Sequence, residues 1–140
     1  GTATGPEGSW LEQGRAEGLA VEYIPSLRRS LHPWHDMQAY RHLHSLIARY
    51  RPDVVHTHSA KGGILGRAAA WDLRVPRIVH TVHGAPFHPF QSFAVREFYR
   101  RCERWAAGRC HVLISVADAM TDLLVNANVA PRSKFVTIYS

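Results

Sequence analysis

Short runs of valine and isoleucine alternate with helical segments over most of this chain, and this order constrains the fold more than any other feature. The strand segments are almost continuously apolar, as expected where both faces of a sheet are covered. The pattern predicts an α/β fold, a three-layer parallel sheet with helices on both faces. The predicted strands begin at Val54 and then span 77–82, 111–114 and 135–139, and the helices between them span 62–71, 93–107 and 116–126.

The first third of the chain follows a different order. A helix is predicted from Ser9 to Glu17, ended by Gly18, and a strand is predicted over Leu19–Ile24. A longer helix is predicted from Trp34 to Tyr50, because its apolar residues share one face at helical spacing. With 140 residues the chain has the size of one domain, so residues 1–140 are predicted to form a single module.

Composition narrows the class of protein. Hydrophobic residues make up 46% of the chain and charged residues 20%, values typical of globular proteins rather than disordered ones. No apolar run approaches the roughly 20 residues that span a bilayer, and no signal-peptide pattern opens the sequence, so a cytoplasmic location is expected. The net charge of +6 favours anionic partners such as phosphates, acidic lipid headgroups or nucleic acid. Cys102 and Cys110 lie in a predicted helix and just before a predicted strand, which favours free thiols over a disulfide.

Polar residues follow the predicted strands and should meet at one place. In open parallel sheets, ligands bind at the carboxyl ends of the strands. By this rule we expect His58, Lys61, His83 and Ser115 to lie along one edge of the sheet.

The loop Ser59-Ala60-Lys61-Gly62-Gly63 leads from the first of these strands into a helix. Free backbone N–H groups, the positive end of the helix and the glycines suit an anion at this point. The loop matches neither a P-loop nor a dinucleotide-binding fingerprint. The alternative interpretation is a tight strand-to-helix turn with a solvated lysine.

Three histidines near this edge are candidates for chemistry. His56 and His58 are two residues apart on a strand and point to the same side, a spacing also found among metal ligands. No Asp or Glu follows the second strand, so no metal site is predicted and His56 is interpreted as structural. His83 follows the second strand, where Gly84 lets the backbone turn, and could accept a proton from a hydroxyl or bind a substrate oxygen. The alternative for His83 is a hydrogen bond within its loop.

The helix over 93–107 has the clearest two-sided pattern. Its aromatic side, with Phe98 and Trp105, is predicted to be buried, and its arginine-rich side, with Glu103, is predicted to face water. Such a charged side could contact phosphates or a membrane surface, although a solvated face is the favoured interpretation. Nucleic-acid binding is not expected, because the aromatic rings would not be free to stack on bases.

Two stretches carry a family resemblance. Residues 51–67, with Val-His-Thr-His-Ser-Ala-Lys-Gly-Gly at their centre, are followed by residues 75–84, which repeat Val-His-Thr and end in His-Gly. Together with the closing strands around 112–116 and 134–140, they resemble the N-terminal domain of family 4 glycosyltransferases of the GT-B fold. The resemblance implies a Rossmann-like domain.

The resemblance also implies an activity. Such enzymes transfer a sugar, with retention, from a nucleotide-sugar donor to a sugar or lipid-linked acceptor, as in cell-surface polysaccharide or glycolipid synthesis, and need no metal or other cofactor. Peripheral contact with the inner face of the membrane would suit the basic charge. By motif, His83 matches the histidine that faces the reaction centre. The substrate-binding residues expected on this basis are His58, Ser59, Lys61, Gly62, Gly63, Gly84 and Ser115.

The sequence departs from the family pattern at both ends. The domains of this family open with a central first strand and a glycine-rich loop, and this chain is expected to start after them. The C-terminal donor-binding domain, the expected partner of this one, is not matched either, so the isolated chain is expected to be inactive. Without the first strand, the strands at Leu19 and Val54 must pair directly, leave a gap or recruit another chain. The rival functions are a metal-dependent hydrolase using His56 and His58, and a non-catalytic anion- or nucleic-acid-binding module.

Overall fold

Strands and helices alternate from Val54 onward in the computed structural model, which describes residues 10–28 and 30–139. The predicted α/β order is therefore confirmed, with boundaries that shift by a few residues. The helices are α1 Trp10–Ala16, α2 Pro33–Tyr50, α3 Ala60–Asp72, α4 Phe93–Ala107 and α5 Asp118–Asn126. The strands are β1 Val54–His58, β2 Arg77–Val82, β3 Val112–Ser115 and β4 Phe135–Thr137, and a 3-10 turn at Arg132–Lys134 precedes β4.

The strands form one parallel sheet in the order β1-β2-β3-β4. His58 pairs with Thr81, and Val82 pairs with Ser115, so β1, β2 and β3 end at the same edge. Because each strand lies beside the one before it, right-handed crossovers place α3, α4 and α5 on one face of the sheet.

The two faces of the sheet differ in exposure. Ile78, His80 and Val82 alternate along the helix-facing side of β2, and all three are buried. On the opposite face, Val54 of β1 is 54% exposed and Val136 of β4 is 49% exposed. The described residues therefore supply one of the two predicted helix layers, and apolar side chains of the second face are open to solvent.

The hydrophobic core lies between the sheet and its helix layer, and small residues let α3 approach closely. A Cβ atom at Gly63 would lie 2.4 Å from Cε1 of His80, and one at Gly66 would lie 2.8 Å from Cγ2 of Thr57. No helix within the described part of the chain is long and apolar enough to cross a membrane. The buried core residues are Ala70, Val75, Ile78, Val82, Phe87, Ala107, Cys110, Leu113, Leu124 and Val129.

The N-terminal segment differs from prediction. The predicted helix from Ser9 corresponds to α1, although Ser9 itself lies outside the described residues. The predicted strand over Leu19–Ile24 is wrong, because this segment joins no sheet. It is held against α2 instead, where the carboxylate of Glu22 accepts a hydrogen bond of 2.5 Å from the Arg49 guanidinium. Direct pairing with β1 is therefore ruled out, and β1 is the edge strand of the described sheet.

The burial of α4 also differs from prediction. Phe98 is 50% exposed and Trp105 is 46% exposed, whereas Glu103 is buried. The reason lies on α3, where the fully buried Arg67 donates a hydrogen bond of 3.0 Å from Nη2 to Oε2 of Glu103. An ion pair thus occupies the α3–α4 interface. The predicted free thiols are confirmed, since Cys102 and Cys110 form no disulfide.

Candidate functional site

Two histidines meet where β1 and β2 end. His58 is the last residue of β1, and His83 directly follows β2. Nδ1 of His58 lies 3.1 Å from Nε2 of His83, and the two rings stack with their centroids 5.4 Å apart. The parallel register therefore brings two residues that are distant in sequence into one hydrogen-bonded histidine pair at the sheet edge.

The neighbourhood of the pair favours the neutral form of His58. Partial burial, together with the charges that His56 and His83 would carry, lowers the pKa of His58. His56 stacks on His58 at a centroid distance of 4.2 Å, and its Nε2 lies 2.8 Å from Oγ1 of Thr81. In the pair, one ring nitrogen carries the hydrogen and donates it, and the other accepts it.

Metal binding finds no support in this arrangement. Among residues 10–28 and 30–139, no three histidine, cysteine, aspartate or glutamate side chains converge where they could hold an ion. His56 is exposed and its Nε2 contacts Oγ1 of Thr81, so its structural interpretation stays a prediction. The metal-dependent hydrolase is therefore not supported.

A buried histidine lies on the helix-facing side of β2. His80 is 2% exposed, and its Nδ1 lies 2.9 Å from Oγ1 of Thr57. Burial, and then the charge of Arg67, lower its pKa to about 3. His80 is therefore neutral in the folded chain at ordinary pH. Its position between Ile78 and Val82 on a strand predicted to be buried is the sequence signal for this burial.

The buried ion pair between Arg67 and Glu103 borders a small cavity at the same edge. The cavity has a volume of about 50 Å³, and His83 and Ser59 also line it. Nε of Arg67 donates to the Gly63 carbonyl at 2.9 Å, while its Nη1 has no hydrogen-bond partner within the described residues. A cavity of this size can hold ordered water. The one sequence signal for the pair was an arginine in the otherwise apolar run Gly-Arg-Ala-Ala-Ala.

Ser59 connects β1 to α3 in a strained conformation. Its φ of 61° and ψ of 161° lie in a region that is essentially restricted to glycine and costs about 1–3 kcal/mol. The side chain is exposed, and the carbonyl accepts the first hydrogen bond of the helix from the Gly63 N–H at 2.9 Å. The predicted anion-binding loop is thus a sharp corner that presents the Ser59 hydroxyl at the sheet edge.

Lys61 and Gly63 are engaged inside the chain. Nζ of Lys61 lies 2.6 Å from Oδ1 of Asp36 on α2 and also donates to the Ser30 carbonyl. Its charge is therefore balanced by a carboxylate that sequence reasoning missed. Gly63 packs against His80, as described above, while Gly62 lies beside the Ser59 hydroxyl. Substrate contacts of Lys61, Gly62 and Gly63 stay predictions.

Ser115 and Gly84 differ in accessibility. Ser115 is fully buried, and its Oγ lies 2.5 Å from Oγ1 of Thr121 and 3.4 Å from Oγ1 of Thr137. Its hydroxyl therefore ties β3 to α5 and β4 rather than lining an open surface. Gly84 is exposed beside His83, and apart from its own atoms and those of its two chain neighbours, no atom of the described residues lies within 4 Å of the place where a Cβ would stand. The structure thus leaves open space next to the histidine pair.

Comparison with known proteins agrees with the resemblance. An Escherichia coli protein named UDP-Gal:alpha-D-GlcNAc-diphosphoundecaprenol alpha-1,3-galactosyltransferase is 36% identical over 104 residues, which cover 74% of this chain and 26% of that protein. A Bacillus subtilis protein named as glycosyltransferase EpsD is 31% identical over 96 residues, which cover 66% of this chain and 25% of that protein. The chain spans about a quarter of the length of these curated relatives.

Solved structures share the fold. The UDP-GlcNAc 2-epimerase of Neisseria meningitidis, bound to UDP-GlcNAc, is 13% identical and superimposes with a TM-score of 0.63. The match covers 89% of this chain and 33% of the epimerase chain. The epimerase of Rickettsia bellii is 16% identical with a TM-score of 0.65 and covers 92% of this chain and 34% of its own. At such identities the likeness shows the fold alone, and it confirms the Rossmann-like α/β class.

The family follows from the sequence match. The model described as a glycosyl transferase 4-like domain matches residues 2–139, nearly the whole chain. Both curated relatives exceed 30% identity, and both are named as glycosyltransferases. The chain therefore belongs to the glycosyl transferase 4-like domain family.

Proposed function

We propose that this chain is the acceptor-side part of a retaining glycosyltransferase, which moves a sugar from a nucleotide-sugar donor to a sugar or lipid-linked acceptor. Family membership supports the reaction class. The observation that carries the proposal is the histidine pair at the carboxyl edge, with open space beside Gly84. Ligands of open parallel sheets bind at this edge.

Within the proposal, His83 contacts the acceptor hydroxyl or the transferred sugar. Its Nε2 faces His58 at 3.1 Å, so Nδ1 is the ring atom left to bind a substrate hydroxyl. The His58 ring holds the His83 imidazole in place, and the exposed Ser59 hydroxyl and the Gly84 backbone complete the contact surface. Lys61, Gly63 and Ser115 act through packing and hydrogen bonds beneath it.

The proposal places the nucleotide-sugar donor, as co-substrate, in a second domain that faces this edge, and it requires no metal or other cofactor. The acceptor is linked to a lipid, as the name of the Escherichia coli relative states for that protein. Such an acceptor would hold the enzyme at the cytoplasmic face of a membrane, and the net charge of +6 suits an anionic surface. The isolated chain is proposed to be inactive.

The test is sugar transfer by the full-length protein that contains this chain. Replacing His83 by alanine should lower kcat/KM by about 100-fold or more, because positioned groups that exchange protons contribute roughly 10²–10⁴-fold. His42→Ala on α2 is the matched control and should leave transfer unchanged. Full activity of the His83 variant would contradict the proposal, and sugar transfer by the 140-residue chain alone would contradict the separate donor domain.

A further inference from the structure

A larger cavity lies apart from the histidine pair, between α4, α5 and the loop that follows His83. Its volume of about 320 Å³ falls within the range of small-molecule sites. Its apolar lining includes Phe87, Phe93 and Leu123. None of the site residues expected from the family resemblance lines it.

Hydrogen bonds within the loop build one wall of this cavity. The His88 N–H donates to Oε1 of Gln91 at 3.0 Å, and Nε2 of Gln91 donates to the Pro86 carbonyl at 3.0 Å. The Ser92 hydroxyl then caps α4 by accepting a hydrogen bond from the Val95 N–H at 3.4 Å. The wall formed by His88 and Pro89 is therefore a defined part of the fold.

Of the charged side chains that line the cavity, Arg96 is the one without an ion-pair partner among the described residues. Glu97 accepts hydrogen bonds of 2.7 Å from Arg100 and 2.8 Å from Arg101, which lower its pKa to about 2. Arg100 also donates to the Ala127 carbonyl at 2.9 Å. Arg96 lines the same cavity, with its guanidinium 6.0 Å from the centroid of the Phe93 ring, and it has no acidic partner within the described residues. The cavity thus combines an apolar interior with one uncompensated positive charge.

Apolar surface continues outward from the cavity. Phe90 is 95% exposed and Phe93 is 73% exposed. Aromatic side chains that are this exposed to water are typical of surfaces that bind an apolar ligand or partner. An apolar chain could lie against Phe87 and Leu123 inside the cavity and extend over these two rings. An anionic group at the head of the chain would then reach Arg96.

We infer that this cavity binds a prenyl phosphate, with the isoprenoid chain against the phenylalanines and Leu123 and the phosphate at Arg96. The match is one of charge and polarity, since a guanidinium prefers phosphate oxygens and the remaining lining offers an apolar chain its contacts. The inference rests on the proposed function only in identifying this ligand as the lipid end of the acceptor. Binding itself is a property of the chain.

The experiment titrates the 140-residue chain with farnesyl phosphate and follows binding by calorimetry and by NMR shifts. Farnesol and inorganic phosphate serve as half-ligands, and each should bind at least about tenfold more weakly than farnesyl phosphate. Arg96→Gln should lower the affinity for farnesyl phosphate about tenfold, while Arg96→Lys should retain most of this affinity. Arg104→Gln, an exposed arginine of the same helix that does not line the cavity, is the matched control and should change nothing.

Three results of the titration would overturn the inference. They are equal binding of farnesol and farnesyl phosphate, unchanged affinity in Arg96→Gln, and NMR shifts that avoid Phe87 and Leu123. Binding to phosphatidylcholine–phosphatidylglycerol vesicles without binding of farnesyl phosphate would also overturn it, and would assign the exposed rings to a bilayer surface. If farnesyl phosphate binds as expected but the full-length protein transfers no sugar, the proposed function fails while the binding site stands. If the full-length protein transfers sugar but the chain does not bind farnesyl phosphate, the proposed function stands and this inference fails.

Discussion

The close approach of α3 to β2 depends on Gly63, and replacing this residue by alanine tests the packing directly. The added Cβ would lie 2.4 Å from Cε1 and 2.8 Å from Nδ1 of His80, distances that real Cβ contacts do not show. His80 has little freedom to move, because it is buried and its Nδ1 is bonded to Thr57. The helix or the imidazole must therefore shift.

The expected magnitude combines two terms. Overpacking of a core costs roughly 1–3 kcal/mol, and the very short distance places Gly63→Ala at the upper end of that range. Alanine regains about 1 kcal/mol of helix propensity over glycine. The free energy of unfolding should thus fall by about 2 kcal/mol. At roughly 4 °C per kcal/mol for a chain of this length, Tm should fall by about 8 °C.

The assay is urea and thermal unfolding of the isolated chain, followed by circular dichroism. Gly62→Ala is the matched control, because its Cβ would meet the Ser59 hydroxyl at 3.3 Å, and it should cost no more than about 0.5 kcal/mol. A double-mutant cycle with His80→Ala isolates the contact, since the cost of Gly63→Ala should largely disappear without the imidazole. An equal cost in both backgrounds would refute the reasoning and would return Gly63 to a role in binding substrate.

Backbone strain, a buried ion pair and a buried histidine give three further expectations. Ser59→Gly should raise the free energy of unfolding by roughly 1 kcal/mol, because glycine tolerates a φ of 61°, and a loss of stability in urea would contradict the assigned strain. Glu103→Leu leaves Arg67 as an unpaired buried charge and should lower the free energy of unfolding by about 3–5 kcal/mol. Asp122→Asn removes an exposed ion pair with Arg132 and should lower it by less than about 1 kcal/mol. Equal losses in the two variants would contradict this ranking. His80 has a pKa of about 3 in the folded chain against 6.5 ordinarily, so the unfolded chain binds more protons between these values. The free energy of unfolding should therefore be highest above pH 6.5 and fall by up to about 4 kcal/mol as the pH drops toward 3. In unfolding measurements at several pH values, His80→Gln should remove most of this pH dependence. An unchanged pH dependence would exclude His80 as its source.

The bounds of β2 and α4 are predictable because strong local signals mark them. Arg77–Val82 is rich in β-branched residues and lies between Pro76 and His-Gly, and Phe93–Ala107 keeps helical spacing from end to end. The meeting of His58 and His83 is predictable in outline, since parallel strands end at one edge. Their contact at 3.1 Å also needs the register of the two strands, which no local pattern contains.

The remaining features depend on partners far away in sequence. Glu103 lies among arginines, so its burial cannot be predicted without knowing that Arg67 faces it across the helix interface. Lys61 is predicted to contact an anion or solvent, but its ammonium group is paired with Asp36 on α2, which is distant in sequence. The apolar pattern of Leu19–Ile24 suits a strand, but a strand also needs a neighbour to pair with, and this segment packs against α2 instead.

The outer side of β1 has consequences for handling the chain. Within the described residues β1 ends the sheet, so its backbone N–H and C=O groups on that side are unpaired. Its sequence Val-Val-His-Thr-His contains no lysine, glutamate or proline, the residues that usually prevent strands of different molecules from pairing. The exposed Val54 adds an apolar contact to such pairing. Concentrated solutions should therefore lose material to intermolecular β-structure, and Val54→Lys is the substitution that should keep the chain dispersed without touching the histidine pair.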